Sequence, residues 1–260
     1  MKNRLFTSES VTEGHPDKVC DLIADAVLDA ALSADPYSRV AIEVCTTTDF
    51  LMIFGEMTCA ADIDVERIAR ETALSVGYDS AEKGLDARSC RIEVRLDRQS
   101  PDIGDSVSRS LETREGGADG ADALGAGDQG MMFGYACNET EELMPLTASL
   151  SHKLTARLAE VRKSGLLPYL RPDGKAQVTV EYDGFRPLRV HTVVLSAQHD
   201  DGVSRERLSS DLKKYVIDEV LSGFADKDTI YLINPSGRFV IGGPAGDSGV
   251  TGRKIVVDTY

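Results

Sequence analysis

GAGDQGMMFGYA, residues 125–136, is the stretch of this sequence that is most informative about its fold. Its glycines surround the polar pair Asp128 and Gln129. Glycine permits positive φ and a close approach of the backbone to a ligand, so the segment is typical of a tight polar bend. The apolar residues that follow predict a strand: Met131, Met132, Phe133 and Tyr135. From the residue pattern alone, a glycine turn ahead of a buried strand is the more frequent structure.

Length, charge and cysteine content exclude several classes of protein. The chain has 260 residues, enough for one or two domains with a sizeable core. Its net charge of −14 argues against nucleic acid or an anionic membrane surface as a partner. No apolar run approaches the roughly 20 residues of a membrane-spanning helix, and the N-terminus lacks a signal-peptide core. The five cysteines include no C-x-x-C pair, which indicates reduced thiols and a cytoplasmic protein.

The order of predicted elements repeats once along the chain. The first copy comprises helix 16–34, strands 40–48 and 51–59, helix 64–76 and strand 91–96. The second comprises helix 145–163, strands 178–182 and 188–195, helix 204–222 and strand 230–233. We therefore predict an α+β fold of repeated helix–β-hairpin–helix–strand units, in sheets with helices on one face. The other, apolar face of each sheet must then be covered by another element or subunit.

Residues 97–130 interrupt this pattern. They are rich in Gly, Asp, Ser and Arg and form a longer connection than compact domains usually contain. By composition alone, a disordered linker and a lid over an active site are equally compatible with the segment.

Three further segments combine turn residues with charged side chains. GHPDK (14–18) lies where a loop enters the first helix, whose N-terminal N–H groups favour anions. By spacing alone, Asp17 there complements the helix dipole. RPDGK (171–175) is a turn by its residue types, and NPSGRFVIGGPAGDSGVTGRK (234–254) is a glycine-rich hairpin connection.

Together these segments resemble the S-adenosylmethionine synthetase (methionine adenosyltransferase) family, whose motifs recur in order from Phe6 to Tyr260. Gln99-Ser100-Pro101-Asp102 matches the family's entry to a mobile gate, which favours the lid. The resemblance implies an N-terminal domain over 1–101, a flexible loop or linker over 102–123, a central domain over 124–240 and the start of a truncated C-terminal domain over 241–260. The family's downstream GGG-A-F-S-x-K-D segment is absent, so we expect the 260 residues alone to be catalytically impaired.

The resemblance implies that S-adenosylmethionine is formed from ATP and L-methionine, with the triphosphate cleaved to pyrophosphate and phosphate. The implied catalytic residues are His15, Lys175, Arg253 and Lys254. The implied ATP contacts are His15, Asp173, Lys175, Arg238, Phe239, Asp247, Arg253 and Lys254, and the implied methionine contacts are Glu56, Gln99, Asp128 and Asp247. The implied cofactors are Mg²⁺ at Asp17 and K⁺ at Glu43.

The resemblance also implies a homodimer or homotetramer whose subunits share active sites. Two alternatives remain open. One is a different ATP-dependent transferase or kinase, against which the lack of any G-x-x-x-x-G-K-[ST] speaks. The other is a non-catalytic nucleotide-binding or assembly partner, which the truncation favours. His152, His191 and His199 have no motif context, and we expect them to be surface residues or structural residues with satisfied hydrogen bonds.

Overall fold

The computed structural model of the chain describes residues 3–101, 103–104, 109–117, 120–123, 125–126 and 129–259. Its strands are β1 (Arg4–Val11), β2 (Arg39–Thr47), β3 (Phe50–Thr58), β4 (Asp79–Ser80), β5 (Leu85–Asp86), β6 (Arg91–Asp97), β7 (Leu170–Asp183), β8 (Arg186–His199), β9 (Ile230–Ile233) and β10 (Gly249–Val250). Its helices are α1 (Pro16–Ala34), α2 (Val65–Val76), α3 (Leu111–Arg114), α4 (Leu146–Lys163), α5 (Arg205–Leu212), α6 (Asp218–Val220) and α7 (Ile255–Asp258). A π-helical stretch, Lys213–Ile217, joins α5 to α6. The fold is therefore a mixed α/β fold with helices packed on sheets.

The first sheet has the strand order β10-β2-β3-β6. The predicted hairpin is formed by β2 and β3, with Asp49 in the left-handed conformation at its turn (φ 55°). Strand β6 lies parallel to β3, and the connection between them contains α2. Buried side chains of α1 and α2, such as Ile23 and Ala73, pack against Val44 and Ile53 of the hairpin. One face of this sheet is thus covered by helices.

The second sheet has the order β1-β7-β8-β9. The predicted hairpin of β7 and β8 turns at Gly184, where φ is 61°. Strand β9 runs parallel to β8, and Leu150 and Leu154 of α4 pack in the same core as Val178 and Leu195.

Each sheet receives an edge strand from the opposite end of the chain. Strand β1 pairs antiparallel with β7, and β10 pairs antiparallel with β2. The connection 12–15 therefore runs from the second sheet to the start of α1 over the first sheet. This places the GHPDK segment at the junction between the two sheets.

The predicted helix ends agree closely with the structure. Helix α1 begins at Pro16, and the Nδ1 atom of the N-cap residue His15 accepts a hydrogen bond from the Asp17 N–H at 3.1 Å. Helix α2 is capped by Asp64 and ends at Gly77, which adopts the left-handed conformation with φ 111°. Ser204, the first residue of the predicted helix 204–222, is the N-cap of α5.

Three aspartates lie four residues apart along α1, at 21, 25 and 29, a spacing that predicts a solvated stripe. Asp25 and Asp29 are exposed, in agreement with that pattern. Asp21 instead accepts a hydrogen bond from the Gly252 N–H at 2.9 Å and pairs with Lys18.

The strand predicted for Met131–Tyr135 is wrong. In the described stretch 129–136 the backbone has no regular structure, and Met132 and Phe133 are 88% and 83% exposed. The physical reason is that a strand needs a hydrogen-bonded neighbour, and this segment pairs with no strand of either sheet within the described residues.

The turn predicted for RPDGK is also wrong, because these residues continue β7. The register of β7 against β8 shifts between Leu170 and Gly174, so Pro172 lies in an irregular stretch that tolerates its missing N–H. On the other side, Thr12 Oγ1 donates to the Pro172 carbonyl at 2.7 Å. The glycine-rich segment 234–254 likewise forms no hairpin; it contains a single 3₁₀ turn, Gly243–Ala245, before β10.

Candidate functional site

The turn that precedes α1, residues 12–15, packs tightly against β7. His15 N–H donates to Thr12 O at 3.0 Å, which closes the turn. A Cβ atom on Gly14 would lie 2.3 Å from the Pro172 carbonyl oxygen, so only glycine fits there. His15 and Asp17 are thereby held beside Asp173 and Lys175.

Asp17 is the most deeply buried carboxylate of this region, with none of its surface exposed. Its Oδ1 accepts a hydrogen bond from the Val250 N–H at 2.9 Å, and Arg253 Nε lies 3.2 Å from the same oxygen. Lys254 Nζ lies 3.0 Å from Oδ2. Burial alone would raise the pKa of Asp17, but the hydrogen bond from Val250 and the Lys254 ammonium outweigh it, and the pKa falls below its ordinary value.

His15 is uncharged at neutral pH. Burial, reinforced by the positive charge of Lys254, lowers its pKa to about 4. Because its Nδ1 accepts from the Asp17 N–H, the ring proton lies on Nε2. His15 can therefore donate one hydrogen bond to an anionic oxygen from Nε2, and a negative charge brought near the ring would favour its protonated form.

Asp173 links β7 to the glycine-rich segment. It is 8% exposed, and its Oδ2 accepts a hydrogen bond from the Gly243 N–H at 2.9 Å. Burial is the main cause that raises its pKa to about 6, and the neighbouring Asp247 carboxylate adds to the shift. This carboxylate thus holds the loop that carries Asp247.

Lys175 lies on β7 between Val11 of β1 and Ser196 of β8. Its side chain is half exposed, and Nζ lies 3.2 Å from Glu9 Oε2. No motif surrounds Glu9 in the sequence, so this partner of Lys175 could not be inferred from the motifs.

Seven of the candidate residues form one group, which we call the charged cluster: His15, Asp17, Asp173, Lys175, Asp247, Arg253 and Lys254. His15 interacts electrostatically with Lys254, Asp17, Asp247 and Lys175. Asp173 interacts in the same way with Asp247 and Lys254. The cluster surrounds the N-terminus of α1, where unpaired N–H groups add a positive potential.

Arg238 and Phe239 precede the loop that carries Asp247. Arg238 Nη2 is 2.7 Å from Asp201 Oδ1, and the Phe239 carbonyl accepts from the His199 N–H at 3.0 Å. A Cβ atom on Gly242 would lie 2.7 Å from the Phe239 ring, which places that ring against the loop that continues to Gly243 and Asp247.

The remaining candidate residues are not in the cluster. Glu43 and Glu56 are exposed and lie on the first hairpin as predicted, and Glu43 accepts a hydrogen bond from Thr251 Oγ1. Gln99 follows β6 and accepts from Arg39 Nε at 2.7 Å. Strand β6 is three strands from β10, which corresponds to about 14 Å at the usual strand spacing. Asp128 lies outside the described residues.

The chemistry of Asp17 suits a magnesium ion that arrives with phosphate. Asp17 Oδ2 is buried and makes no hydrogen bond of good geometry, although Lys254 approaches it. Mg²⁺ commonly takes one or two carboxylates and completes its shell with phosphate oxygens and water. The oxygens of Glu43 and Thr251 are hard donors of the kind that alkali cations prefer. Among the described residues, no three His, Cys, Asp or Glu side chains are arranged as a ready metal site.

Each of the three histidines without motif context has a hydrogen-bond partner. His152 Nδ1 lies 2.9 Å from Ser10 Oγ, His191 Nδ1 lies 2.8 Å from Thr192 Oγ1, and the buried His199 lies 2.8 Å from the Asp200 carbonyl. All five cysteines are free thiols. Across the described part of the chain, no helix combines the length and the apolar character needed to cross a membrane.

Two family models match the chain. The N-terminal domain of S-adenosylmethionine synthetase matches residues 3–101, and the central domain of S-adenosylmethionine synthetase matches residues 123–239. The S-adenosylmethionine synthase of Clostridium tetani (strain Massachusetts / E88) is 55% identical over 258 residues. That of Clostridium botulinum (strain Alaska E43 / Type E3) is 54% identical over the same length.

The chain belongs to the S-adenosylmethionine synthetase family. Each alignment covers 99% of this chain and 66% of the relative, so the chain spans slightly less than two-thirds of the length of these synthases. The family is one of metal-dependent enzymes. The matched ranges include every residue of the charged cluster except those beyond 239.

Proposed function

We propose that the chain acts in methionine adenosyltransfer, forming S-adenosylmethionine from ATP and L-methionine. The observation that carries this proposal is the convergence of His15, Lys175, Arg253 and Lys254 on the N-terminus of α1. Such a concentration of donors suits a polyphosphate. The two clostridial relatives are named for the product, S-adenosylmethionine.

The chemistry needs a stabilised leaving group more than it needs a base. The methionine sulfur attacks carbon 5′ of ATP, and a thioether carries no proton that must first be removed. The bond from carbon 5′ to the triphosphate oxygen breaks, and its electron pair leaves with the triphosphate. Fixed cations aimed at that charge act before the bond breaks and need no reorganisation. Lys175, Arg253 and Lys254 take this role, and neutral His15 donates to the leaving oxygen.

The same cations hold the triphosphate for its cleavage to pyrophosphate and phosphate. Arg253 is half exposed, although its Nε pairs with Asp17 and its Nη2 donates to the Ser248 carbonyl at 3.2 Å, so part of its guanidinium remains accessible. A planar guanidinium can bind two phosphate oxygens at once. We assign the adenosine side of ATP to Arg238, Phe239, Asp173 and Asp247.

Asp17 is the carboxylate that we assign to Mg²⁺, and Glu43 the one that we assign to K⁺. When bound, these ions would neutralise charge on the polyphosphate and on the carboxylates around it. For Asp17 to serve in this way, Lys254 must turn from Oδ2 towards the phosphates. The Lys254 side chain is 18% exposed, so it is not fully enclosed by the protein.

Methionine is assigned to Glu56, Gln99, Asp128 and Asp247. Carboxylates suit its ammonium group and the sulfonium that develops during the reaction. Gln99 is distant from the charged cluster of its own chain, whereas the uncovered face of the first sheet carries both Glu43 and Glu56. We therefore propose a homodimer or homotetramer whose subunits face each other through their sheets and complete each other's sites.

The same element order in the two sheets supports the proposed repeat of helix, hairpin, helix and strand. The matched ranges 3–101 and 123–239 support an N-terminal domain over 1–101 and a central domain over 124–240, separated by a connection over 102–123. Segment 241–260 contributes β10 and α7, and we propose that it leads into a third domain. The free thiols are compatible with a cytoplasmic location.

The function is tested by incubating the purified chain with ATP, L-methionine, Mg²⁺ and K⁺, and quantifying S-adenosylmethionine by mass. A parallel sample uses the lengthened chain, which we define as this chain extended by the part of the clostridial relatives that the alignments leave unmatched. Formation of S-adenosylmethionine and pyrophosphate by the lengthened chain supports the proposal. Nucleotide binding without any product in either sample would support the non-catalytic alternative instead.

We expect the pKa of His15 to rise when inorganic tripolyphosphate and Mg²⁺ bind. In the free chain burial and Lys254 hold this pKa at about 4, and an anion beside Nε2 favours the protonated ring. The titration is followed by NMR of the imidazole C–H signals, with His191 as the internal control because it lies on β8 and touches Thr192. A His15 pKa that saturating tripolyphosphate leaves unchanged would contradict the assignment.

We expect Phe54→Arg to dissociate the proposed dimer. Phe54 lies opposite Glu43 on the uncovered face of the first sheet, and two copies facing each other would bury the new charges. Phe185→Arg is the matched control, because Phe185 is 89% exposed at the far turn of the second sheet. Analytical ultracentrifugation at micromolar concentration measures both. A stable monomer for the unaltered chain would overturn the dimer proposal.

A further inference from the structure

Tyr78 is a buried aromatic residue that no motif singles out. It follows α2 and Gly77, and none of its surface is exposed. Its backbone is held on both sides: the N–H donates to Ala73 O at 3.1 Å, and the carbonyl accepts from the Ala87 N–H at 3.0 Å. The ring is therefore attached to a backbone that hydrogen bonds hold in place, and it is too deeply buried to touch a substrate.

The hydroxyl of Tyr78 reaches the turn that carries the first part of the charged cluster. It donates to the carbonyl of Gly14, the residue directly before His15. The turn is already confined on its other side, where Gly14 has no room for a Cβ atom against Pro172. The peptide that joins Gly14 to His15 is thus held between the Tyr78 hydroxyl and β7.

The same ring supports the loop that carries the rest of the cluster. A Cβ atom on Gly243 would lie 2.6 Å from the Tyr78 hydroxyl oxygen and 2.8 Å from Cε1. The Gly243 N–H in turn donates to Asp173 Oδ2, and Gly243 O accepts from the Asp247 N–H at 3.1 Å. One side chain therefore contacts both backbone segments that approach the phosphate side of the cleft.

We propose that Tyr78 is a positioning residue that fixes the Gly14–Asp17 turn relative to the Gly243–Asp247 loop. Because both segments contact the same buried ring, their relative position is fixed. His15 and Lys254 are then oriented towards the same phosphate oxygens. Displacements of about 1 Å between reacting groups can cost about a hundredfold in rate. The inference rests on the proposed function, since it concerns the alignment of that site.

A purely structural role is the competing explanation, and the chain offers a matched control for it. The Tyr182 hydroxyl donates to Glu139 Oε2 at 2.8 Å, and Tyr182 is 3% exposed in the core of the second sheet. It touches no residue of the charged cluster. Replacing either tyrosine by phenylalanine removes one buried hydrogen bond, so a structural role alone predicts similar consequences for both.

The test compares Tyr78→Phe with Tyr182→Phe in the lengthened, active chain. We expect Tyr78→Phe to lower kcat about tenfold while the KM for methionine changes by less than about twofold. Tyr182→Phe is expected to lower Tm by a similar amount and leave kcat unchanged. Incorporation of para-aminophenylalanine at position 78 restores a donor to the ring and should recover kcat. Wild-type kcat in Tyr78→Phe, or equal losses of kcat in both variants, would overturn the inference.

Hydrogen exchange of the Asp17 amide provides a readout that does not need activity. This amide donates to His15 Nδ1, so its protection from exchange reports whether the Gly14–Asp17 turn keeps its conformation. We expect lower protection in Tyr78→Phe and unchanged protection in Tyr182→Phe. If the lengthened chain without substitutions makes no S-adenosylmethionine, the proposed function fails, and the inference is decided by this exchange alone. If Tyr78→Phe does not fold, exchange is measured in the para-aminophenylalanine variant instead. If that variant folds and its Asp17 amide is unprotected, the inference is overturned.

Discussion

Alanine at His15, Lys175 or Arg253 is expected to lower the rate of S-adenosylmethionine formation by about 10²–10³-fold in the lengthened chain. The expected loss corresponds to about 2.7–4 kcal/mol of transition-state stabilisation, as for removal of one fixed donor in other active sites. The reason is that negative charge grows on the triphosphate as the bond to carbon 5′ breaks. Each of these side chains supplies a donor that needs no reorganisation at that moment.

The appropriate control is Arg67→Ala. Arg67 is an exposed cation on α2 that pairs with Glu71 at 2.8 Å, far from α1's N-terminus. Exposed pairs of this kind contribute about 0–1 kcal/mol, so neither rate nor fold should change much. Thermal unfolding of each variant separates loss of rate from loss of fold, which matters most for Arg253 because it also partners the buried Asp17. Near-wild-type turnover in all three cluster variants would show that the site is misassigned.

Asp173→Asn is expected to stabilise the unliganded protein at neutral pH and to weaken ATP binding. Burial raises the pKa of Asp173 from an ordinary 3.8 to about 6. A pKa raised by folding contributes stability that is fully present below pH 3.8 and is lost as the pH rises through about 6. The shift corresponds to about 3 kcal/mol of unfolding free energy. A neutral amide at this position can still accept from the Gly243 N–H and avoids that loss.

The measurement is the unfolding free energy of wild type and variant by denaturant titration between pH 4 and pH 8. The difference between them should grow in favour of Asp173→Asn by up to about 3 kcal/mol across this range. Asp25→Asn is the control, because Asp25 is an exposed carboxylate on α1. Parallel pH profiles for wild type and Asp173→Asn would contradict the prediction.

The parts of the fold that the sequence predicts well are those specified by neighbouring residues. Pro16 at the first turn, Gly77 at the end of α2 and Asp183-Gly184 between β7 and β8 act locally, and each element lies where predicted. What could not be predicted depends on distant partners. Strand β1 pairs with β7 more than 160 residues away, and β10 pairs with β2 about 200 residues away.

The same distinction explains the errors at the site. Pro172 and Gly174 have the composition of a turn, but Val11 and Ser196 on either side continue the ladder through Lys175. The motifs identified the residue types of the charged cluster, yet nothing in them indicated that Asp17 is wholly buried between Arg253 and Lys254.

Neither the charge state of His15 nor the contribution of Tyr78 could be predicted from the sequence. His15 is neutral because of burial and the proximity of Lys254, which only the folded chain creates. Tyr78 carries no motif, and its contacts with Gly14 and Gly243 join segments that are far apart in the chain. A signal such as Gly77-Tyr78 after a helix predicts a helix end and nothing more.

The central claim is that the charged cluster holds the triphosphate of ATP. A crystal structure with a non-hydrolysable ATP analogue and Mg²⁺ tests it most directly. The described residues also form a pocket of about 450 Å³ lined by Arg4, Phe6 and Tyr182 at the far end of the second sheet, which offers the analogue another site. We predict phosphate oxygens within hydrogen-bond distance of Lys175, Arg253 and Lys254, with the metal on Asp17. Nucleotide seated in the Arg4 pocket, with the cluster's ion pairs unchanged, would contradict the account.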